Sequence, residues 1–275
     1  MSKRLAFLGP AGTHTEQASL KYDPGALLIP FPSNSTVAES VTSRITDEGI
    51  LPIENSQEGP VNETLDLLIH DSLLRIRHEL VLQIKNYLVS SKKTRGKDIE
   101  IVYSHPQALA QCRKFLAKHF PKANLVASMS TAAAVEEMLQ NPTKSAAIST
   151  KRASEIYDTK ILANEINDNP NNLTRFVVLS PEDHPLTGSD KTSVGFSFNQ
   201  DTPGILHSTL GEFAKRGINL AKIESRPTRE SLGKYIFLVD LEGHRKDAQV
   251  SEALKIIRDK ASVFKIFGSY PKYQM

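Results

Sequence analysis

The sequence predicts an α/β fold followed by a second, smaller domain of βαββαβ order, and three observations carry that reading. Through residue 180, short apolar runs alternate with amphipathic helical stretches, the pattern of an α/β layer built on a largely parallel sheet. Between Pro181 and Lys191 lies Pro-Glu-Asp-His-Pro-Leu-Thr-Gly-Ser-Asp, whose two prolines and glycine suit an exposed connection. Beyond it the patterns follow the order strand, helix, strand, strand, helix, strand.

Taken in order, the strands predicted in the first part are Arg4–Leu8, Gly49–Ile53, Ile76–Val89, Ile101–Tyr103, Leu125–Ala127, Ala146–Ile148 and Arg175–Leu179. In the second part, strand Thr192–Phe198 leads to helix Gly204–Arg216. Strands Ile218–Ser225 and Lys234–Glu242 follow, then helix Ala248–Lys260 and strand Val263–Phe267, which completes a ferredoxin-like arrangement. A length of 275 residues leaves room for two domains at about 150 residues each. No short-period repeat or low-complexity tract is visible, which sets solenoids aside.

Composition narrows the function classes. The 34 Lys and Arg against 31 Asp and Glu give a net charge of +3, too slight and too scattered for a nucleic-acid or membrane surface. The one cysteine, Cys112, allows neither an intrachain disulfide nor a cysteine metal cluster, and suits a reducing, cytoplasmic setting. Leu5 to Leu8 is too short for a signal-peptide core and is ended by Gly9-Pro10. No apolar run approaches the roughly 20 residues that span a bilayer. The histidines lack HExxH or comparable spacing, so no metal site is expected.

Four junctions can carry chemistry. Gly9-Pro10-Ala11-Gly12-Thr13-His14-Thr15-Glu16 joins a strand to a helix through a glycine turn. Its Thr13-x-x-Glu16 spacing reads either as a helix cap or as a turn whose free N–H groups attract an anion. In Leu51-Pro52-Ile53-Glu54-Asn55-Ser56, a buried strand ends in a carboxyl, an amide and a hydroxyl, at the strand end where ligands of open α/β sheets gather. Ser104-His105-Pro106-Gln107 opens another helix, with Gln111 one turn beyond Gln107 on the same face. His105 and Cys112 read as structural. Asp168-Asn169-Pro170-Asn171-Asn172-Leu173-Thr174-Arg175-Phe176 is a polar loop entering a strand, where Arg175 offers a planar fork to a carboxylate or to a surface ion pair.

Read jointly, GPAGTHTEQA, LPIENSQEGPVNETLDLL, SHPQALAQC and DNPNNLTRF resemble, in order and separation, the catalytic domain of prephenate dehydratases over residues 3–180. The part after the connection resembles an ACT domain. There, Gly204-Ile205-Leu206-His207 stands at the Gly-Ala-Leu-type helix start, and Glu224-Ser225-Arg226-Pro227 matches the Glu-Ser-Arg-Pro motif. The resemblance runs on to Gly268-Ser269-Tyr270-Pro271. His14 departs from the pattern, since the family usually carries an aromatic residue there, while Thr13 and Thr15 fit.

The resemblance implies a two-lobed catalytic domain, similar to type 2 periplasmic binding proteins, over residues 1–182. Its lobes would be about 1–78 plus 160–182 and about 79–159, with an ACT regulatory domain over 190–275. It implies decarboxylating dehydration of prephenate to phenylpyruvate, driven by aromatisation and needing no cofactor. The catalytic residues it implies are Thr174, Glu54, Asn55, Ser104 and Gln111, and Thr13, Thr15, Ser56, Arg175 and Phe176 would bind substrate. Thr174 and Glu54 compete for the role of proton donor. For Glu54, that role requires burial to raise its pKa. Gly204, Ile205, Leu206, Asn219, Leu220, Glu224, Ser225 and Arg226 would receive L-phenylalanine at an interface between paired domains, which implies a homodimer or a dimer of dimers. Arogenate dehydratase and a non-catalytic amino-acid-binding sensor are the alternatives. The joint presence of Glu54, Asn55, Gln111, Thr174 and Arg175 speaks against a sensor.

Overall fold

A computed structural model describes residues 2–142, 144–199, 202–228 and 233–274. The chain divides into two compact units, residues 1–61 with 81–176 and residues 62–80 with 177–275.

The first unit opens with β1 (Arg4–Leu8), α1 (His14–Tyr22), β2 (Leu27–Phe31), α2 (Asn34–Thr42), β3 (Glu48–Asn55) and the short β4 (Gly59–Pro60). Leu5, Ala6 and Phe7 are buried because both faces of β1 are covered, which is why the strand reads as a continuous apolar run. Each following helix has its own start signal: Thr13 accepts from the Glu16 N–H at the head of α1, and Ser33 and Thr36 form a reciprocal capping box at α2. Next come α3 (Asn62–Asp66), a π-helical turn (Leu67–Asp71) and β5 (Arg75–Gln83), which lie largely in the second unit. The chain then forms β6 (Tyr87–Ser90), β7 (Ile101–Ser104), α4 (Pro106–Gln111), α5 (Arg113–His119), β8 (Asn124–Ala127), α6 (Ala133–Gln140), β9 (Ser145–Ser149), α7 (Lys151–Ile156), β10 (Lys160–Ala163) and β11 (Leu173–Ser180).

One sheet has the order β2-β1-β3-β11-β5, with β4 on β3, and the other has the order β10-β6-β9-β7-β8. Alternate residues of the second sheet face opposite ways. Leu88, Val102, Ala146 and Ile148 pack on Ala108, Cys112 and Leu116, while Val89 and Ala147 pack on Ala134, Val135 and Met138.

Two expectations need correcting. The sheets are mixed, since β1 pairs with β2 and β3 in parallel but β6 pairs with β9 and β10 antiparallel. The single strand expected over Ile76–Val89 is two strands in different sheets. No glycine or proline interrupts that stretch. Its backbone turns because the Ile84 N–H donates to Asn172 O and the Asn86 N–H to Asn167 Oδ1, at 2.8 and 2.7 Å.

In the second unit, β12 (Asp190–Ser197), α8 (Ile205–Ala214), β13 (Leu220–Pro227), β14 (Tyr235–Glu242), α9 (Ala248–Lys260) and β15 (Val263–Pro271) realise the expected βαββαβ order. The antiparallel sheet runs β13-β14-β12-β15. Both helices cover one face: Phe213, Val250, Ala253, Leu254 and Ile257 pack on Val194, Phe196, Val239 and Leu241.

Candidate active site

Three of the four junctions meet in the first unit through a chain of hydrogen-bonded amides. The end of β3 lies beside the start of β11, since the Ser56 N–H donates to Leu173 O at 2.8 Å and the Leu173 N–H to Ser56 Oγ at 3.0 Å. That register sets Asn55 against Thr174. Asn55 Oδ1 accepts from the backbone N–H groups of Gln57 and Glu58 at 2.9 and 3.0 Å, so its amide nitrogen points the other way. Asn55 Nδ2 donates to Thr174 Oγ1 and to Asn172 Oδ1, both at 2.8 Å. Asn172 Nδ2 in turn donates to Gln111 Oε1 at 2.9 Å. Gln111 closes α4, the helix that follows β7 of the other sheet, so the contact joins the loop beside the carboxyl end of β3 to a helix of the other sheet's layer.

Alternation along the paired strands places Asn55 and Thr174 on one face and Glu54 and Arg175 on the other. Glu54 Oε2 stands 3.6 Å from Arg175 Nη1, with the Glu54 side chain 34% exposed.

Ser104 is fully buried and donates its proton to Ile148 O at 2.7 Å. Phe176 is buried in β11, and Thr15 is buried in α1. Thr13 serves as the α1 cap, and the neighbouring Gly12 N–H donates to the buried Glu16 carboxylate. His14 is partly buried, with Nε2 3.5 Å from Asn86 Oδ1 and Nδ1 3.3 Å from Gln17 Oε1. Burial holds its imidazole below the ordinary range, against opposing hydrogen bonds with Gln17 and Asn86. Burial pushes the Cys112 thiol up to about 12.

The prephenate dehydratase family model matches residues 5–184, and the ACT domain model matches residues 192–259. The chain belongs to the prephenate dehydratase family. It is 41% identical to a bifunctional chorismate mutase/prephenate dehydratase of Aquifex aeolicus, over 98% of this chain and 74% of that one. It is 40% identical to a prephenate dehydratase of Mycobacterium sp. strain JLS, over 98% and 89%. Among solved structures, the prephenate dehydratase of Arthrobacter aurescens in complex with L-Phe superposes with a TM-score of 0.90 at 37% identity, over 98% of this chain and 90% of that one. GqqA, a quorum quenching acylase, superposes with a TM-score of 0.88 at 26% identity, over 98% of each chain. The scaffold thus carries more than one chemistry, and the side chains must be argued one by one.

In the ACT part of this prephenate dehydratase family member, Gly204 has φ +84°, a left-handed conformation open to glycine, and it starts α8. Ile205 leads that helix, and Leu206 packs against the domain core. Glu224 Oε2 lies 3.2 Å from Lys222 Nζ, and its Oε1 lies 3.6 Å from Arg226 Nη1. Arg226 also donates to Asn62 Oδ1 at 2.5 Å and to Asp66 Oδ1 at 2.9 Å, both on α3. Strand β13 runs antiparallel to β14, so Leu220 sits opposite Leu241 while Arg226 sits opposite Ile236. Asn219, just before Leu220, lines a cavity of about 370 Å³ with Gly217, Ile218, Glu242, Asp247 and Val250. Gly204 follows β12, whose last residue, Ser197, also pairs with Ile236. Within one chain, then, Gly204 and Leu220 stand at opposite ends of the sheet, and Ser225 lies on the strand between them.

Two buried members of the amide chain escaped the sequence reading, Asn172 and Asn86, whose Nδ2 also donates to Gln111 Oε1 at 3.5 Å. Asn172 reads there as one loop asparagine among several, although its place two residues before Thr174 was a usable signal. Asn86 falls inside the stretch read as a strand interior, which hid it. Among the described residues, no group of three or more His, Cys, Asp or Glu side chains is placed to hold a metal ion.

Proposed function

We propose that this chain converts prephenate to phenylpyruvate, carbon dioxide and water, with Thr174 donating the hydrogen bond, and then the proton, to the departing ring oxygen. One observation carries the assignment: Asn55 Nδ2 donates to Thr174 Oγ1, which occupies a hydroxyl lone pair and leaves the O–H hydrogen available for substrate. The bond from the ring to its carboxylate breaks, and its electron pair moves through the ring to expel the C4 oxygen. That oxygen leaves as water once it has gained a proton. A threonine hydroxyl is a weak acid, so the proton moves only as negative charge builds on the leaving oxygen, and solvent then restores it.

Gln111, whose Oε1 is occupied by Asn172, offers its Nε2 hydrogens to the same substrate. Neutral donors suit this reaction, because a strong cation on the departing carboxylate would stabilise the ground state more than the transition state. Arg175 is directed to Glu54, so the pair fixes the strand ends while Thr174 meets the substrate. The Thr13 hydroxyl donates to Leu8 O and the Gly12 N–H to Glu16, so the backbone N–H groups of Thr13, His14 and Thr15 at the start of α1 are our assignment for the substrate's other anionic group.

L-phenylalanine is the proposed effector, bound by the ACT domain between two copies of the chain. The L-Phe complex of the Arthrobacter aurescens relative supports this, as does the separation of Gly204 from Asn219 and Leu220 within one sheet. A homodimer would bring the two ends together. A cytoplasmic location fits the single buried cysteine, and no helix among the described residues is long and apolar enough to cross a membrane.

The purified full chain, mixed with prephenate and followed by the ultraviolet absorbance of phenylpyruvate, tests the assignment. Phenylpyruvate should form. Turnover of arogenate in its place would reassign the substrate, and binding of either without turnover would make the chain a sensor.

A further inference from the structure

We propose that Asn172 is a positioning residue that fixes the polarity of the active site, so that the site presents hydrogen-bond donors to its substrate. The inference rests on the assignment of Thr174 as the hydroxyl that meets the leaving oxygen. An amide side chain can sit either way round, and which end faces the substrate decides whether it offers N–H or C=O. Here the choice is made at one point and passed along. The backbone N–H groups of Gln57 and Glu58 can only donate, so they hold Asn55 Oδ1 and turn Asn55 Nδ2 outward. One hydrogen of that nitrogen goes to Thr174 Oγ1 and the other to Asn172 Oδ1. With its oxygen fixed, Asn172 must aim Nδ2 at Gln111 Oε1, and Gln111 is left with its own NH₂ free of protein acceptors among the described residues. Asn172 is completely buried, so bulk solvent does not compete for these bonds. Its backbone is held as well, since Asn172 O accepts from the Ile84 N–H at 2.8 Å.

Asn172 therefore acts through two other side chains and needs no substrate contact of its own. Its removal would free Asn55 Nδ2 to turn away from Thr174 and would leave Gln111 Oε1 held only by the longer, 3.5 Å bond from Asn86 Nδ2, so that Gln111 could turn its carbonyl toward the substrate. Aspartate at 172 is different: it keeps the acceptor that Asn55 requires but sets an oxygen against Gln111 Oε1.

The test measures kcat and KM for prephenate on the full-length chain, together with its melting curve, for Asn172→Ala, Asn172→Asp, Asn55→Ala, the Asn55→Ala/Asn172→Ala double variant and Thr174→Ala. Asn172→Ala should lower kcat on the order of 10- to 100-fold. The double variant should fall within about twofold of Asn55→Ala alone, because both changes break one pathway. Asn172→Asp should keep kcat within about threefold and raise KM about tenfold, a split that a packing defect would not produce. A folded Asn172→Ala variant with wild-type kcat, or multiplicative losses in the double variant, would overturn the proposal. If Asn172→Ala does not fold, unchanged constants in Asn172→Asp would overturn it equally. Full activity in Thr174→Ala would instead remove the assignment on which the inference rests.

Discussion

The hydroxyl of Thr174 and the carboxyl of Glu54 occupy adjacent stations on paired strands, and their neighbours give them different work. Thr174 accepts from Asn55, whereas Glu54 faces Arg175 across 3.6 Å. Glu54→Gln should therefore hold kcat within about tenfold and leave the acidic limb of the pH–rate profile in place. Loss of that limb would return the proton to Glu54. His14 bears on stability. Burial depresses its folded pKa below the unfolded value near 6.5, so the unfolded chain binds more protons in that range. Stability is present above about pH 6.5 and is lost as the pH falls through the folded value. His14→Phe should make the melting temperature less dependent on pH between about 7.5 and 5, and an unchanged slope would show that His14 is not the group responsible. His105, depressed by the same burial, should keep part of the slope. Cys112, buried and pushed up to about 12, should resist iodoacetamide at neutral pH until the chain unfolds.

At the scale of elements, the second unit is joined by contacts that a sequence does not announce. Arg226 on β13 reaches Asn62 and Asp66 on α3, with the Arg226 and Asp66 side chains only 13% and 16% exposed. Arg226→Ala should destabilise the chain by about 2 kcal/mol, read from urea unfolding, because the half-buried bonds from Arg226 to Asn62 and Asp66 are lost. Gly268 of β15 lies so close to the backbone of Ile76 that a Cβ there would overlap Ile76 N, C and O. Gly268→Ala should cost about 3 kcal/mol or more. Such backbone approaches explain which elements were legible in advance. β1 and α9 were readable to the residue because apolar runs or helical periodicity end at clear signals. The boundary between β5 and β6 was not, because it is set by pairing with Asn167 and Asn172, some eighty residues away. β2 was missed as well, since Leu27–Phe31 is only partly buried and contains Pro30. In the site, the strand-end residues were visible as motifs. The amide chain between them was not, because hydrogen-bond direction is a property of the folded state.

For the whole molecule, the two compact units coincide with neither end of the proposed domain boundary near residues 183–189. Residues 62–80 group with the ACT part, although they follow directly from the Asn55 loop. An effector bound at the ACT domain would thus act on a unit whose chain follows directly from β3, the strand that carries Asn55. Calorimetry of the full chain with L-phenylalanine should show saturable binding at one ligand per chain, because a two-fold interface repeats the Gly204–Leu220 pairing twice. Absence of binding would sink the regulatory assignment and leave the catalytic one standing. The catalytic claim itself rests on a single oriented hydroxyl. Its most direct test is phenylpyruvate production from prephenate by Thr174→Ser and the nearly isosteric Thr174→Val. Serine should retain most of kcat and valine should lose about 10²–10⁴-fold with the fold intact; near-wild-type turnover by the valine variant would contradict the account.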